Sequence, residues 1–204
     1  MDAMGISEGD QVVVYGREGC WFTPRTWYLM KTYGQQKVAM MQGSLEDWIK
    51  AGGPVDEKRI EYNLWAKDLV SVSTPKYQVS DSAKDLFVDM SQVLDKIGSK
   101  TIVDTRGSSF AKGHIPGSVH IPYASLVEDD NSLRFKSKEV LERILKENDI
   151  KREEQILLSC GSGVSVCHMA LVLEECGYPA PLIYDGSWNE WGSDPSTPKV
   201  MDNA

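Results

Sequence analysis

The residues best suited to chemistry lie where an apolar run, Ile156-Leu157-Leu158, stops at Ser159-Cys160 and gives way to Gly161-Ser162-Gly163-Val164-Ser165. A segment of helical character follows from Val164 to Cys176 and is closed by Gly177, so the stretch reads as strand, loop and helix. A loop of this kind aims backbone N–H groups into its hollow, and the start of a helix adds roughly half a positive charge. A thiol so placed can have its pKa lowered to about 3.5–7.5 and be a thiolate near neutral pH. Cys160 is therefore the candidate nucleophile. Cysteine phosphatases and arsenate reductases share this layout but need an arginine six positions after the cysteine, and that slot is Val166. A buried structural cysteine is the other alternative, since free cysteines are among the most buried residue types. Gly161 and Gly163 speak against it: they fill no core and cost backbone entropy, which makes sense where the chain curls around something small.

Cys160-Gly161-Ser162-Gly163-Val164-Ser165, with Cys167-His168 behind it and Tyr184-Asp185-Gly186-Ser187-Trp188-Asn189-Glu190-Trp191 downstream, resembles the catalytic half of the 3-mercaptopyruvate sulfurtransferases of the rhodanese superfamily. The resemblance covers nearly the whole chain. Thiosulfate-using rhodaneses are similar but carry basic residues just after the cysteine, where this chain has Gly161 and Ser162. The resemblance implies sulfur transfer without a cofactor or metal. Cys160 would take sulfur from 3-mercaptopyruvate, and less well from thiosulfate, as a persulfide. A small thiol or a thioredoxin-like protein would then accept it. Ser162 would hydrogen-bond the reacting sulfur or carbonyl, Gly161, Gly163 and Val164 would line the substrate with their N–H groups, and Ser165 would support the loop.

Other residues are open to two readings. Asp104-Thr105-Arg106 ends an apolar strand, Thr101-Ile102-Val103, at the place where ligands are met in an open α/β sheet. Arg106 could hold a substrate carboxylate, or it could pair with Asp104 and orient loops. Members of the resembled family carry further arginines before the Gly113-His114-Ile115-Pro116-Gly117 signature, and this chain has only Lys112 there. His114 beside Pro116 reads as a turn residue more readily than as a general base. The histidines and cysteines show no metal-ligand spacing.

The elements that must position Cys160 belong to an α/β chain, 41% hydrophobic and 25% charged, with enough length to bury a sizeable core. A formal net charge of −8 excludes the basic footprint that nucleic acid or an anionic membrane would need. Four cysteines make no dense disulfide framework, and no signal-like apolar run precedes them. A cytoplasmic location follows as the default, or a mitochondrial one if an upstream segment exists. Val12–Tyr15 reads as a buried strand, Thr23 as the cap of a helix running to Tyr33, and Val38–Met41 as a second strand. A further helix starts at Ser44, with Asp47 placed for a capping box. The same order recurs 143 residues later: Gly34 answers Gly177, and Gly43-Ser44 with Trp48 answers Gly186-Ser187 with Trp191. The first copy offers Gly16 or Arg17 at the nucleophile slot, so it should be inert.

The expected fold is a rhodanese-like open parallel sheet flanked by helices. Residues 75–204 form a complete domain with helices at about Ser82 or Asp85 to Ile97 and Lys138 to Lys146, and a short strand at Tyr77–Val79. Residues 1–56 form the back half of a first domain, and 57–74 a connector in which Trp65 packs. Because that half domain removes part of the wall around the site, a rhodanese-fold binding module with weak or no catalysis is the competing reading. Oligomeric state is not readable from the sequence.

Overall fold

The computed structural model describes residues 6–57, 77, 85–130 and 134–201. Most of the expected connector, Trp65 included, and the strand expected at Tyr77–Val79, apart from a buried Tyr77, lie outside the described residues.

Strands β1 (Val12–Gly16) and β2 (Val38–Ser44) pair in parallel, with Val12 beside Val38 and Val14 beside Met40, and α1 (Thr23–Thr32) connects them. Thr23 is not the cap that its residue type suggests. Phe22 holds that position in helical backbone, and the Thr23 hydroxyl turns back to donate to the Cys20 carbonyl at 3.2 Å. Pro24 sits in the first turn, where a missing N–H costs nothing. Helix α2 (Leu45–Lys50) opens with the expected capping box: the Asp47 N–H donates to Ser44 Oγ at 3.1 Å, and the Ser44 N–H to the Asp47 carboxylate at 3.0 Å.

The main sheet is parallel throughout, in the order β3 (Phe87–Val88), β7 (Leu182–Tyr184), β6 (Leu157–Ser159), β4 (Ile102–Asp104), β5 (Val119–His120). Strands β4, β6 and β7 are buried along their whole length, which is why they read as unbroken apolar runs without alternation. The helix expected from Ser82 or Asp85 starts later, as α3 (Met90–Lys96). Asp89 stops it from extending backwards: its carboxylate accepts the Gln92 N–H at 2.9 Å, and its own N–H donates to Gln92 Oε1 at 3.0 Å. Phe87 and Val88 are thereby left extended and pair with Ile183 and Tyr184. Helices α4 (Lys138–Glu147), α5 (Val166–Glu175) and α6 (Ser187–Trp191) complete the chain.

The two sheets share a core. Trp27, Tyr28 and Met30 of α1 and Val38 of β2 lie in one buried cluster with Val166, Cys167, Met169 and Ala170 of α5 and Leu158 of β6. Burying each large apolar side chain contributes roughly 1.5–3 kcal/mol, so α1 and α5 hold each other in place. Ion pairs border the contact, Lys31 with Glu174 and Arg25 with Asp185. At the other end the Trp21 ring stacks on Tyr123, with centroids 6.1 Å apart.

Candidate active site

Strand β6 is central, held by β4 on one side and β7 on the other, and Cys160 is the first residue past its end. The cysteine is 1% exposed. Its backbone is fixed from several directions. The Cys160 N–H donates to Ser187 Oγ at 3.1 Å, and the Cys160 and Gly161 carbonyls each accept at 2.9 Å, from the Trp188 and Asn189 N–H groups at the start of α6.

Two hydroxyls flank the sulfur. Ser187 Oγ lies 3.8 Å from Cys160 Sγ and donates to the Tyr184 carbonyl at 2.7 Å, so its single proton has two acceptors, of which the carbonyl is the nearer. Ser187 holds a left-handed backbone with φ of 51°, costly for a residue with a Cβ and a usual mark of a functional position. Ser165 Oγ lies 2.9 Å from Thr105 Oγ1, and Thr105 is itself bound through its N–H to the Ser159 carbonyl at 2.9 Å. Burial of the Cys160 thiol opposes ionisation. The Ser165 hydroxyl, the Val166 and Ser162 N–H groups and the Ser187 hydroxyl favour it, and together they bring the thiol below its ordinary pKa. The site is built to hold negative charge on sulfur.

The loop residues divide by position. Ser165 is buried, Val164 is half-buried, and Ser162 is exposed, so that its backbone N–H rather than its hydroxyl meets the sulfur. Gly163 has φ of +74°, and a Cβ there would overlap the Asp185 carboxylate and come within 2.9 Å of the Asp185 carbonyl oxygen. Gly161 is different: a Cβ there would meet nothing within 4 Å, so no tight curl demands a glycine, and that side of the loop is open.

Arg106 is buried and engaged. Its Nε donates to both Asp104 carboxylate oxygens at 3.0 Å, its Nη2 to Asp104 Oδ2 and to the Gly113 carbonyl at 2.7 Å each, and its guanidinium stacks 4.5 Å from the Trp188 ring. Of the two readings the sequence allows, this is the geometry of the structural pair. His114 stacks on Phe110 at 3.9 Å, with Nδ1 3.3 Å from the Phe110 carbonyl oxygen, in the manner of a turn residue. Cys167 and Cys176 are buried in the shared core. Burial pushes the Cys167 thiol up to about 12 against the opposing charge of Arg25, so it stays neutral. A cavity of about 570 Å³ lined by Glu128, Asp129, Asp130, Arg134 and Phe135 includes no residue of the Cys160 loop.

Sequence reasoning did not find Ser187, Thr105 or Arg25. Ser187 stands at the first position of α6, after Gly186 at the cap, and no local pattern marks it as a partner of Cys160.

A rhodanese-like domain model matches residues 89–194, just over half of the sequence, and the chain belongs to that family. Among characterised relatives it is 28% identical to the thiosulfate sulfurtransferase of Gallus gallus and 30% identical to that of Mus musculus, each over 92% of this chain and 65% of the relative. It is 26% identical to the 3-mercaptopyruvate sulfurtransferase of Escherichia coli strain K12, over 95% of this chain and 69% of the relative. The chain thus spans about two thirds of the length of these proteins, and overall similarity does not favour the mercaptopyruvate kind over the thiosulfate kind. Among solved structures, a persulfide form of EanB with ergothioneine superposes over 98% of this chain and 53% of its own, with a TM-score of 0.80 at 18% identity, which shows the fold.

Proposed function

We propose that this chain is a sulfurtransferase that carries sulfane sulfur on Cys160 and draws it from 3-mercaptopyruvate in preference to thiosulfate. The observation that carries the reading is the set of hydroxyl and N–H donors converging on the Cys160 sulfur, which lowers its pKa despite burial. The thiolate attacks the donor sulfur, forming an S–S bond with its own electron pair. The donor's C–S bond breaks, its electron pair leaves with carbon as the pyruvate enolate, and the donor's thiol proton moves to that carbon, giving pyruvate and an ionised persulfide. The donors that held the thiolate now hold the persulfide charge. An acceptor thiolate, on a small thiol or a thioredoxin-like protein, attacks the outer sulfur and returns Cys160 as a thiolate. Access from the open side at Gly161 suits a small donor. Gly161 and Ser162 bring no side-chain cation for a sulfonate, which supports the preference for mercaptopyruvate.

The test is incubation with each donor, followed by peptide mass spectrometry and acceptor-coupled kinetics. One added sulfur should appear on Cys160, Cys160→Ser should abolish transfer, and kcat/KM should favour mercaptopyruvate at least about tenfold, equivalent to about 1.4 kcal/mol. Equal values for the two donors would remove the preference. Sulfur on Cys20 or Cys167 would remove the assignment to Cys160, and sulfur on no cysteine with either donor would leave a binding module.

A further inference from the structure

Arg25 stands in the first turn of α1, 138 residues from the loop it touches. Its Nη1 donates to the Gly163 carbonyl at 2.8 Å and to Asp185 Oδ1 at 2.7 Å, with the side chain only 21% exposed and the guanidinium 5.9 Å from the Phe87 ring. A half-buried arginine on a backbone carbonyl of the cysteine loop has no part in the sulfur chemistry above.

That carbonyl is in a sensitive place. Gly163 stands in the loop between Ser162 and Val166, whose N–H groups meet the Cys160 sulfur, and at φ of +74° against Asp185 it has no room for a Cβ. The chain has no cis peptide among the described residues, and in a trans peptide the C=O and the next N–H point in opposite directions. Holding the Gly163 carbonyl on Arg25 therefore directs the Val164 N–H the other way. Without Arg25 that carbonyl loses its anchor, and the loop carrying the Ser162 and Val166 N–H groups is less firmly held against the sulfur.

We infer that Arg25 is a positioning residue for the Cys160 loop: its grip on the Gly163 carbonyl fixes the loop between Ser162 and Val166, the two residues whose N–H groups face the sulfur. Helix α1 thereby sets the reactivity of the cysteine that follows β6. Asp185 orients the guanidinium, and the neutral Cys167 thiol adds a weak bond to the same carbonyl at 3.7 Å. The inference rests on the reading of Cys160 as the reacting residue.

The experiment is the pH dependence of Cys160 alkylation by iodoacetamide in the full chain, read at the Cys160 peptide. Arg25→Ala should raise the titration midpoint by about one unit and slow alkylation at neutral pH about tenfold. Arg25→Lys should recover part of this, since one ammonium reaches the carbonyl but does not fork to Asp185. Lys31→Ala breaks the neighbouring ion pair with Glu174 without touching the loop and should leave the profile in place. An unmoved midpoint in Arg25→Ala, or an equal shift in Lys31→Ala, overturns the inference. If Arg25→Ala does not fold, Asp185→Asn decides: loss of a negative charge alone would lower the midpoint, so a rise supports positioning, and an unmoved or lowered midpoint refutes it. Alkylation needs no sulfur donor, so a chain that transfers no sulfur would sink the proposed function while this result stood on its own.

Discussion

His168 should make folding stability fall as the solution is acidified. Burial pushes its imidazole down to about 4 from an ordinary 6.5, against a backbone hydrogen bond at Ser165 that pulls the other way. The ring is 1% exposed, next to Tyr123 at 4.9 Å and Phe135 at 5.9 Å between centroids. The unfolded chain takes up this proton near pH 6.5 and the folded chain only near pH 4, so between those values the unfolded state binds more protons and stability drops with falling pH. Above pH 6.5 the group contributes its full stability, and below pH 4 it changes nothing further. A window of about 2.5 pK units corresponds to about 3 kcal/mol in all, of which about 2 kcal/mol is lost between pH 7 and pH 5. Urea unfolding at those two pH values, for wild type and for His168→Leu, measures it. The carboxylates whose pKa values are lowered, Glu46, Asp47 and Asp89 among them, change stability in the same direction but at lower pH, and they are common to both proteins. The variant should be flatter by about 2 kcal/mol over this interval. Equal losses in the two proteins would refute the assignment of a neutral, buried His168.

Ser187→Gly keeps the left-handed backbone at ease and removes only the hydroxyl, so it should raise the Cys160 titration midpoint and lower kcat by about 10- to 100-fold; an unchanged kcat would place the hydroxyl outside the chemistry. Gly163→Ala should destabilise the chain by about 1–3 kcal/mol in urea unfolding, whereas Gly161→Ala should stay within about 0.5 kcal/mol, and equal costs would contradict the difference between the two glycines. Amide hydrogen exchange should be faster in β1, whose only strand partner among the described residues is β2, than in β6 with its two neighbours, and equal protection would show that β1 is covered in some other way.

The loop and its flanks were legible because local chemistry decides them. An apolar run buried on both faces needs no period, Cys160 and Gly163 interrupt it, and the Ser44–Asp47 pair announces a helix start in three residues. Strand β3 was not legible: two residues carry no alternation, and only the Asp89 cap shows that the helix begins after them. Thr23 misled because a hydroxyl near a proline suits a cap, while its actual bond is to the Cys20 carbonyl. Gly161 misled in the opposite sense, since composition cannot tell a glycine that is required from one that merely leaves room. Ser187 and Arg25 reach the loop only through the fold. Their contacts join residues 27 and 138 positions apart, distances over which no local pattern operates.

The α1–α5 contact also bears on how the chain is made. Lys31 and Glu174 meet across 143 residues, and the apolar side of α1 has its buried partners in α5. At a synthesis rate of about 5–20 residues per second, α1 would wait on the order of ten to thirty seconds for α5 to be made. During that interval Trp27, Tyr28 and Met30 have Val38 of β2 beside them but lack the part of their cover that α5 supplies. The contact of α1 with α5 and the bond from Arg25 to Gly163 both need the helix behind the cysteine loop, so the shared core and the hold on that loop come within reach together.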